Sequence, residues 1–168
     1  MGRGRSGATR SACRSRNNAA VPLPAKLQSV VDTFALFTDP ADRINLLLGY
    51  ADQFRDVPQA IAARPFGREH LVPHCESEAY VWARKQPAGT LNLYFAVENP
   101  AGVSAKALAA ILDRSLSGLP AAEIATVTPD IVELIFRQNI SMGKGMGLMS
   151  MVQAVGALAK GATGDGGR

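Results

Sequence analysis

The chain has 168 residues and a formal net charge of +4 at pH 7, with 47% apolar and 19% charged residues. That balance fits one folded domain of ordinary size and excludes a disordered chain. No apolar stretch approaches the roughly 18 residues that would span a bilayer, and two cysteines, Cys13 and Cys75, are too few for a disulfide framework or a Cys/His metal cluster.

The charge is unevenly placed. Residues 1–31 carry six basic residues (Arg3, Arg5, Arg10, Arg14, Arg16 and Lys26) and no acidic one, whereas residues 32–168 carry 12 basic and 14 acidic residues. A nucleic-acid footprint needs a basic stripe on the folded surface, and the body is slightly acidic. Residues 1–22 are rich in Arg, Ser, Ala and Gly and lack an apolar run. That is the composition of an organelle transit peptide rather than a secretory signal. The expected organisation is a transit segment over 1–22, one domain over 23–160 and a Gly-rich disordered tail over 161–168.

Along the body, Leu27, Val30, Val31, Phe34 and Phe37 recur at helical spacing. Asp39 can cap a second helix with Pro40 at its first position, and Ile44, Leu47, Leu48 and Ala51 form its predicted apolar face. Residues 54–70 lose periodicity and carry Pro58 and Pro65, which predicts a loop with at most one helical turn. Residues 78–85 and 90–98 alternate as strands around a QPAG turn, giving a β-hairpin over about 78–98. Leu71–Pro73 reads as a short extra edge strand.

The remainder reads as helical. Ser104 is placed to cap a helix with Leu108, Ile111 and Leu112 on its face, ended by Gly118 and Pro120. Thr128-Pro129-Asp130 starts another, followed by Ile131, Leu134 and Ile135, and a last helix runs from about Lys144 to Lys160. The expected fold is α+β: a small antiparallel sheet with helices on both sequence sides of the hairpin. GKGMG at 143–147 lacks the GxxxxGK[ST] spacing of a phosphate loop and reads as a flexible helix start. Met142, Met146 and Met149 read as core filler at helical spacing. His70 and His74 lack further ligands, so no metal site is expected.

Cys75 is the residue with chemistry. It lies in Val72-Pro73-His74-Cys75-Glu76-Ser77-Glu78-Ala79-Tyr80-Val81-Trp82, a Pro-bounded loop ahead of the first strand. A buried inert thiol competes with this reading, but the loop placement favours a functional one. The thiolate is the nucleophile; a charged His74 would favour it and Glu76 and Glu78 would oppose it. Tyr80 and Trp82 share one strand face and suit either core packing or a partner-facing patch.

These motifs resemble the SufE family of sulfur acceptors. Val72, Cys75, Ser77 and Tyr80 match the family's Val-x-Gly-Cys-x-Ser-x-Val-Trp/Tyr pattern. Lys106-Ala107-Leu108, LSGLPAAEI at Leu116–Ile124, Thr128-Pro129-Asp130 and the Asp39-Pro40 junction also fit, so the resemblance covers about residues 24–160. His74 stands where the family usually has Gly, Glu78 where Gln is common, and Asn99-Pro100-Ala101 where an acidic turn is frequent. Lys144 stands for an Arg of the family, and a point charge does not replace a bidentate fork.

The resemblance implies a persulfide carrier rather than a free-standing turnover enzyme. Cys75 would accept sulfane sulfur from a SufS-type cysteine desulfurase, stimulate that enzyme, and deliver the sulfur to the downstream Suf cluster-assembly machinery. His74, Glu76, Ser77 and Glu78 would support the loop, and Tyr80, Trp82, Lys106 and Lys144 would face the partner. The chain would need no cofactor of its own, since the pyridoxal phosphate belongs to the desulfurase. No nucleic-acid or membrane partner is implied. With the tail composition, the resemblance points to a plastid, with a bacterial cytoplasm or a mitochondrion as the alternatives. The rival function is a divergent docking or regulatory module that binds a desulfurase without carrying sulfur.

Overall fold

Two strands of alternating apolar residues make the centre of the molecule. In a computed structural model, which describes residues 21–164, β1 (Ala79–Lys85) and β2 (Thr90–Val97) pair antiparallel from Ala79↔Val97 to Lys85↔Leu91. The alternation sorts the side chains by face. Ala79, Val81, Leu91, Leu93, Phe95 and Val97 join the main core, while Tyr80, Trp82, Tyr94 and Ala96 join a second cluster on the opposite face. The hairpin lies within one or two residues of its predicted limits.

The main core is completed by helices. Helix α1 (Ala25–Leu36) buries Leu27, Val31 and Phe34, and α2 (Pro40–Ala51) follows it directly. Asp39 caps α2 as expected, its carboxylate accepting from the amides of Ala41 and Asp42 at 2.8 and 3.2 Å. Helix α3 (Val103–Leu116) is buried on most sides, packing on β2, α1 and α2. A two-residue β3 (Leu119–Pro120) pairs with Thr90 and Leu91, making the sheet order β1-β2-β3. Helices α4 (Ala121–Ile124), α5 (Asp130–Phe136) and α6 (Met142–Gly164) close the fold.

Several expectations are corrected. Ile44 and Leu48 are 47% and 42% exposed, and Arg43 takes the inward position on α2 beside Leu47. The reason is polar: the Arg43 guanidinium donates to the carbonyls of Phe34 and Phe37 at the end of α1, and of Leu134 and Ile135 in α5. These carbonyls lie at or just past helix C-termini, where intrahelical i→i+4 donors run out. Leu134 is likewise exposed, while Val132 and Phe136 are buried in its stead. Ser104 does not cap α3, which starts two residues earlier than that, from Gly102 and without a side-chain cap. Leu71–Pro73 is reduced to one antiparallel bridge, Leu71↔Tyr80. Met142 and Met146 are surface residues, because α6 turns Leu148, Met151, Val152, Val155 and Ala159 to the core.

Helix α6 also runs past Lys160 to Gly164, into the expected tail. The transit segment falls outside the described residues except for Val21 and Pro22, and so does the tail beyond Gly164. No helix among the described residues is long and apolar enough to cross a membrane.

Candidate functional site

The site grows from the loop that leads into β1. A short 3₁₀ turn at Arg68–His70 leads to Leu71, which bridges Tyr80, and the Val72 amide donates to the Ala79 carbonyl at 2.8 Å. Val72 is buried in the main core, so the loop has a fixed neck. Residues 73–78 stand out from that neck. Within them, the Glu78 amide donates to the Cys75 carbonyl at 3.1 Å, a turn that holds Cys75 at its first corner. The β1–β2 pairing runs on into this turn, with the amides of Glu98 and Asn99 donating to the carbonyls of Glu78 and Ser77 at 3.2 Å each.

Tight reversal costs backbone freedom. His74 and Glu78 take left-handed conformations, with φ of 57° and 46°. A non-glycine residue pays about 1–2 kcal/mol there. Two such residues bracketing Cys75 are a local conflict between residue type and backbone, of the kind that collects at functional sites.

Two glycines let neighbouring elements close on the loop. A Cβ at Gly147 of α6 would lie 2.9 Å from the His74 carbonyl oxygen and 3.0 Å from the Cys75 Cα. A Cβ at Gly102 would lie 3.0 Å from the Ser77 Cβ. The GKGMG segment is therefore the start of α6, and Gly147 in it is demanded by backbone approach. Between the loop, the start of α3 and the start of α6 lies a small cleft of about 40 Å3. Cys75, Glu76 and Ser77 line it from the loop, Val103 and Ser104 from α3, and Lys144 and Leu148 from α6. Cys75 is a free cysteine, half-buried, packed against the main core on one side and open to the cleft on the other.

The other expected residues are dispersed by the same geometry. His74, Glu76 and Glu78 are exposed on the loop. Lys144 is exposed at the cleft, whereas the Lys106 ammonium is tied to the Pro100 carbonyl at 3.0 Å. Tyr80 and Trp82 lie on the other sheet face, stacked at 6.1 Å between ring centroids. Trp82 is 5% exposed beneath Phe66 and His70, so its surface holds the 54–70 loop and offers little to a partner. Val103, Met142 and Met146 were missed as surface residues near the site. The two methionines have the helical spacing of core residues and are turned out by the packing of α6, whereas Val103 opens α3 beside the cleft. Among the described residues, no group of three or more His, Cys, Asp or Glu side chains could hold a metal.

The comparisons with known proteins fall on this same framework. The SufE family model, described as an Fe-S metabolism associated domain, matches residues 28–159. This chain belongs to the SufE family. SufE-like protein 1, chloroplastic/mitochondrial, of Arabidopsis thaliana is 30% identical over 132 residues, covering 78% of this chain and 34% of that protein. The chain thus spans about a third of that relative's length. An uncharacterized SufE-like protein of Synechocystis is 30% identical over 117 residues, covering 68% of this chain and 67% of its own. The solution structure of a hypothetical protein from Thermus thermophilus shares the fold, with a TM-score of 0.66 at 23% identity over 85% of this chain and 99% of that one. The α+β expectation and the family resemblance both hold, and the family ties the chain to iron–sulfur metabolism.

Proposed function

We propose that this protein is a persulfide carrier that takes sulfur from a SufS-type cysteine desulfurase onto Cys75, stimulates that enzyme and passes the sulfur to iron–sulfur cluster assembly. The observation that carries the reading is Cys75 itself: a free thiol on a turn fixed at its neck, facing a cleft of about 40 Å3 in a chain of this family. In the step, the Cys75 thiolate attacks the outer sulfur of a partner persulfide, R–S–S–H. The S–S bond breaks, R–S⁻ leaves with the bonding pair, and the outer sulfur with its proton becomes Cys75–S–S–H. No oxidant is consumed. A cleft this small beside the thiol supports the shielding that an added sulfur needs against oxidation.

Pyridoxal phosphate stays with the desulfurase in this reading, and this chain supplies only the thiol and its surroundings. The basic, acid-poor residues 1–22 and the organellar name of the Arabidopsis relative support import into a plastid. Fusing residues 1–22 to a fluorescent protein tests that placement; a signal that stays outside the plastid overturns it.

The function is tested by intact-protein mass spectrometry after incubation with a SufS-type desulfurase and cysteine, without reductant. The expected result is one added sulfur that maps to Cys75, is removed by a reductant and is lost in Cys75→Ser, together with the stimulation. A bare Cys75 beside a persulfurated desulfurase bound to this protein would overturn the carrier role in favour of docking alone.

A further inference from the structure

Away from Cys75, helices α1, α2 and α3 leave an open pocket of about 450 Å3 between them. Its charge is of one sign. Lys26 lines it from α1 and Arg114 from α3, and no carboxylate lines it. Among the described residues neither cation is in an ion pair. The acidic residues nearest to them in sequence are engaged with other partners: Asp32 accepts from the Gln28 amide at 2.8 Å and Asp113 from the Ser117 hydroxyl at 2.7 Å. Two like charges that share a pocket repel each other, and an anion bound there relieves that repulsion.

The rest of the lining is amphipathic. Val30, Leu46 and Ile111 supply apolar wall, and Asn45 and Tyr50 supply neutral polar groups. The Tyr50 ring is stacked on Phe34 at 5.8 Å between centroids, which fixes its place in the wall. Burial raises the Tyr50 phenol above its ordinary pKa and the Arg114 charge opposes the rise, so the guanidinium lies within electrostatic reach of that ring. Gly49 lines the pocket from α2, and a Cβ there would meet nothing within 4 Å. Glycine is a poor helix former, and no neighbour demands one at this position; its effect is to leave the α2 side of the pocket open. Apolar walls with a few convergent polar groups, in a concavity of a few hundred Å3, are the usual make-up of a small-molecule site.

We propose that this pocket binds a small organic anion of the phosphate-monoester class, its charged group held by Lys26 and Arg114 and its apolar body laid against Val30, Leu46, Ile111 and the Tyr50 ring. The pair of cations selects an anion, and the apolar wall selects an organic one over a bare inorganic one. A phosphate monoester carries close to two negative charges at neutral pH and so matches the two cations. Arg114 can meet its oxygens with a planar fork, while Lys26 acts as a point charge. The site is separate from the thiol. Ser104 lines the Cys75 cleft, and Arg114 lies about 15 Å further along the same helix. The proposal therefore does not rest on the carrier reading, and it stands or falls on binding alone.

The test uses the full chain with naphthyl phosphate as the probe, read by calorimetric titration and by backbone amide NMR shifts. Naphthol and inorganic phosphate, the two halves of the probe, are titrated beside it. The expected result is one saturable site with half-saturation below about 1 mM, shifts centred on Gly49 and Arg114, and binding of either half at least about tenfold weaker. Raised salt is expected to weaken the probe. Lys26→Gln and Arg114→Gln are each expected to cost about three- to tenfold in affinity, whereas Lys160→Gln, which removes the same charge outside the pocket, costs less than about twofold. Gly49→Leu fills the open side of the pocket with both cations kept, and is expected to abolish binding with the thermal midpoint equal or raised. The absence of a saturable site, shifts centred elsewhere, or equal losses for Lys160→Gln and Arg114→Gln overturn the proposal. So does equal binding of naphthol, which would make the pocket an apolar surface only, or equal binding of inorganic phosphate, which would leave the apolar wall without a role.

Discussion

His74 is the residue at which local preference and local structure disagree most. Its φ of 57° belongs to the left-handed region, where Cβ crowds the following carbonyl. Its carbonyl oxygen is also the atom that a Cβ on Gly147 would strike. Replacement by glycine removes the crowding but adds freedom to the unfolded chain, and the two effects are each of order 1 kcal/mol. His74→Gly is therefore expected to leave the thermal midpoint nearly unchanged or slightly raised. His74→Val places a β-branched residue in the same backbone, and is expected to lower stability by about 1–2 kcal/mol, a shift of several degrees. Differential scanning calorimetry on the pair checks both. An equal loss for both variants would show that the imidazole makes contacts worth more than the backbone strain.

At the scale of elements, two contacts set where the loop sits. One is α6 against the loop at Gly147. Alanine there gains about 1 kcal/mol of helix propensity, yet its methyl would lie 2.9 and 3.0 Å from backbone atoms that cannot swing aside. Overpacking of this kind costs about 1–3 kcal/mol. Gly147→Ala is expected to lose about 1 kcal/mol and to speed alkylation of Cys75 by iodoacetamide, since α6 and the loop must part. Gly161→Ala meets nothing within 4 Å and is expected to stabilise by up to about 1 kcal/mol without changing alkylation. The other contact is Arg43, 3% exposed, which joins α1, α2 and α5 through four carbonyl acceptors. Arg43→Met keeps the bulk and abandons those carbonyls in the interior. The expected cost is about 3 kcal/mol or more, read from the urea midpoint. These elements also show what the sequence could and could not reveal. The hairpin was legible because residues 78–98 alternate with a period of two, and the α2 cap because Asp39 precedes Pro40. Cys75 was legible because a thiol in a Pro-bounded loop is out of place in a core. Arg43 was not, since periodicity counts an arginine as solvent-facing and sees no carbonyls from α1 and α5. The same blindness turned Ile44 and Leu48 inward and hid the exposure of Met142 and Met146. The two-residue β3 has no pattern long enough to read.

Across the whole molecule, the hairpin separates two apolar layers of unequal size, and the Cys75 loop is anchored in both. Val72 enters the main core, while His70, just before it, lies against Trp82 at 5.1 Å in the smaller cluster. That smaller cluster holds residues 54–70 across the sheet with Val57, Phe66, Tyr80, Trp82 and Tyr94. Further ties of this segment are the packing of Phe54 on the main core, a parallel bridge from Asp56 to Phe95, the Arg64 guanidinium over the Phe66 ring, and the ion pairs of Arg64 with Asp56 and Glu98 at 2.8 and 2.7 Å. Exposed ion pairs of this sort contribute at most about 1 kcal/mol, so the aromatic packing must do most of the holding. Trp82 alternates along β1 with Val81, which belongs to the main core. The two layers therefore share a strand, and the smaller one has no separate framework on which to persist. The chain holds a single tryptophan, so its fluorescence reports the smaller layer alone, whereas far-UV circular dichroism reports the helices around the larger. In a urea titration the two signals are expected to trace one coincident transition. If the fluorescence moved first, residues 54–70 would open as a unit of their own, and the front anchor of the Cys75 loop would be free to release while the main core stayed folded.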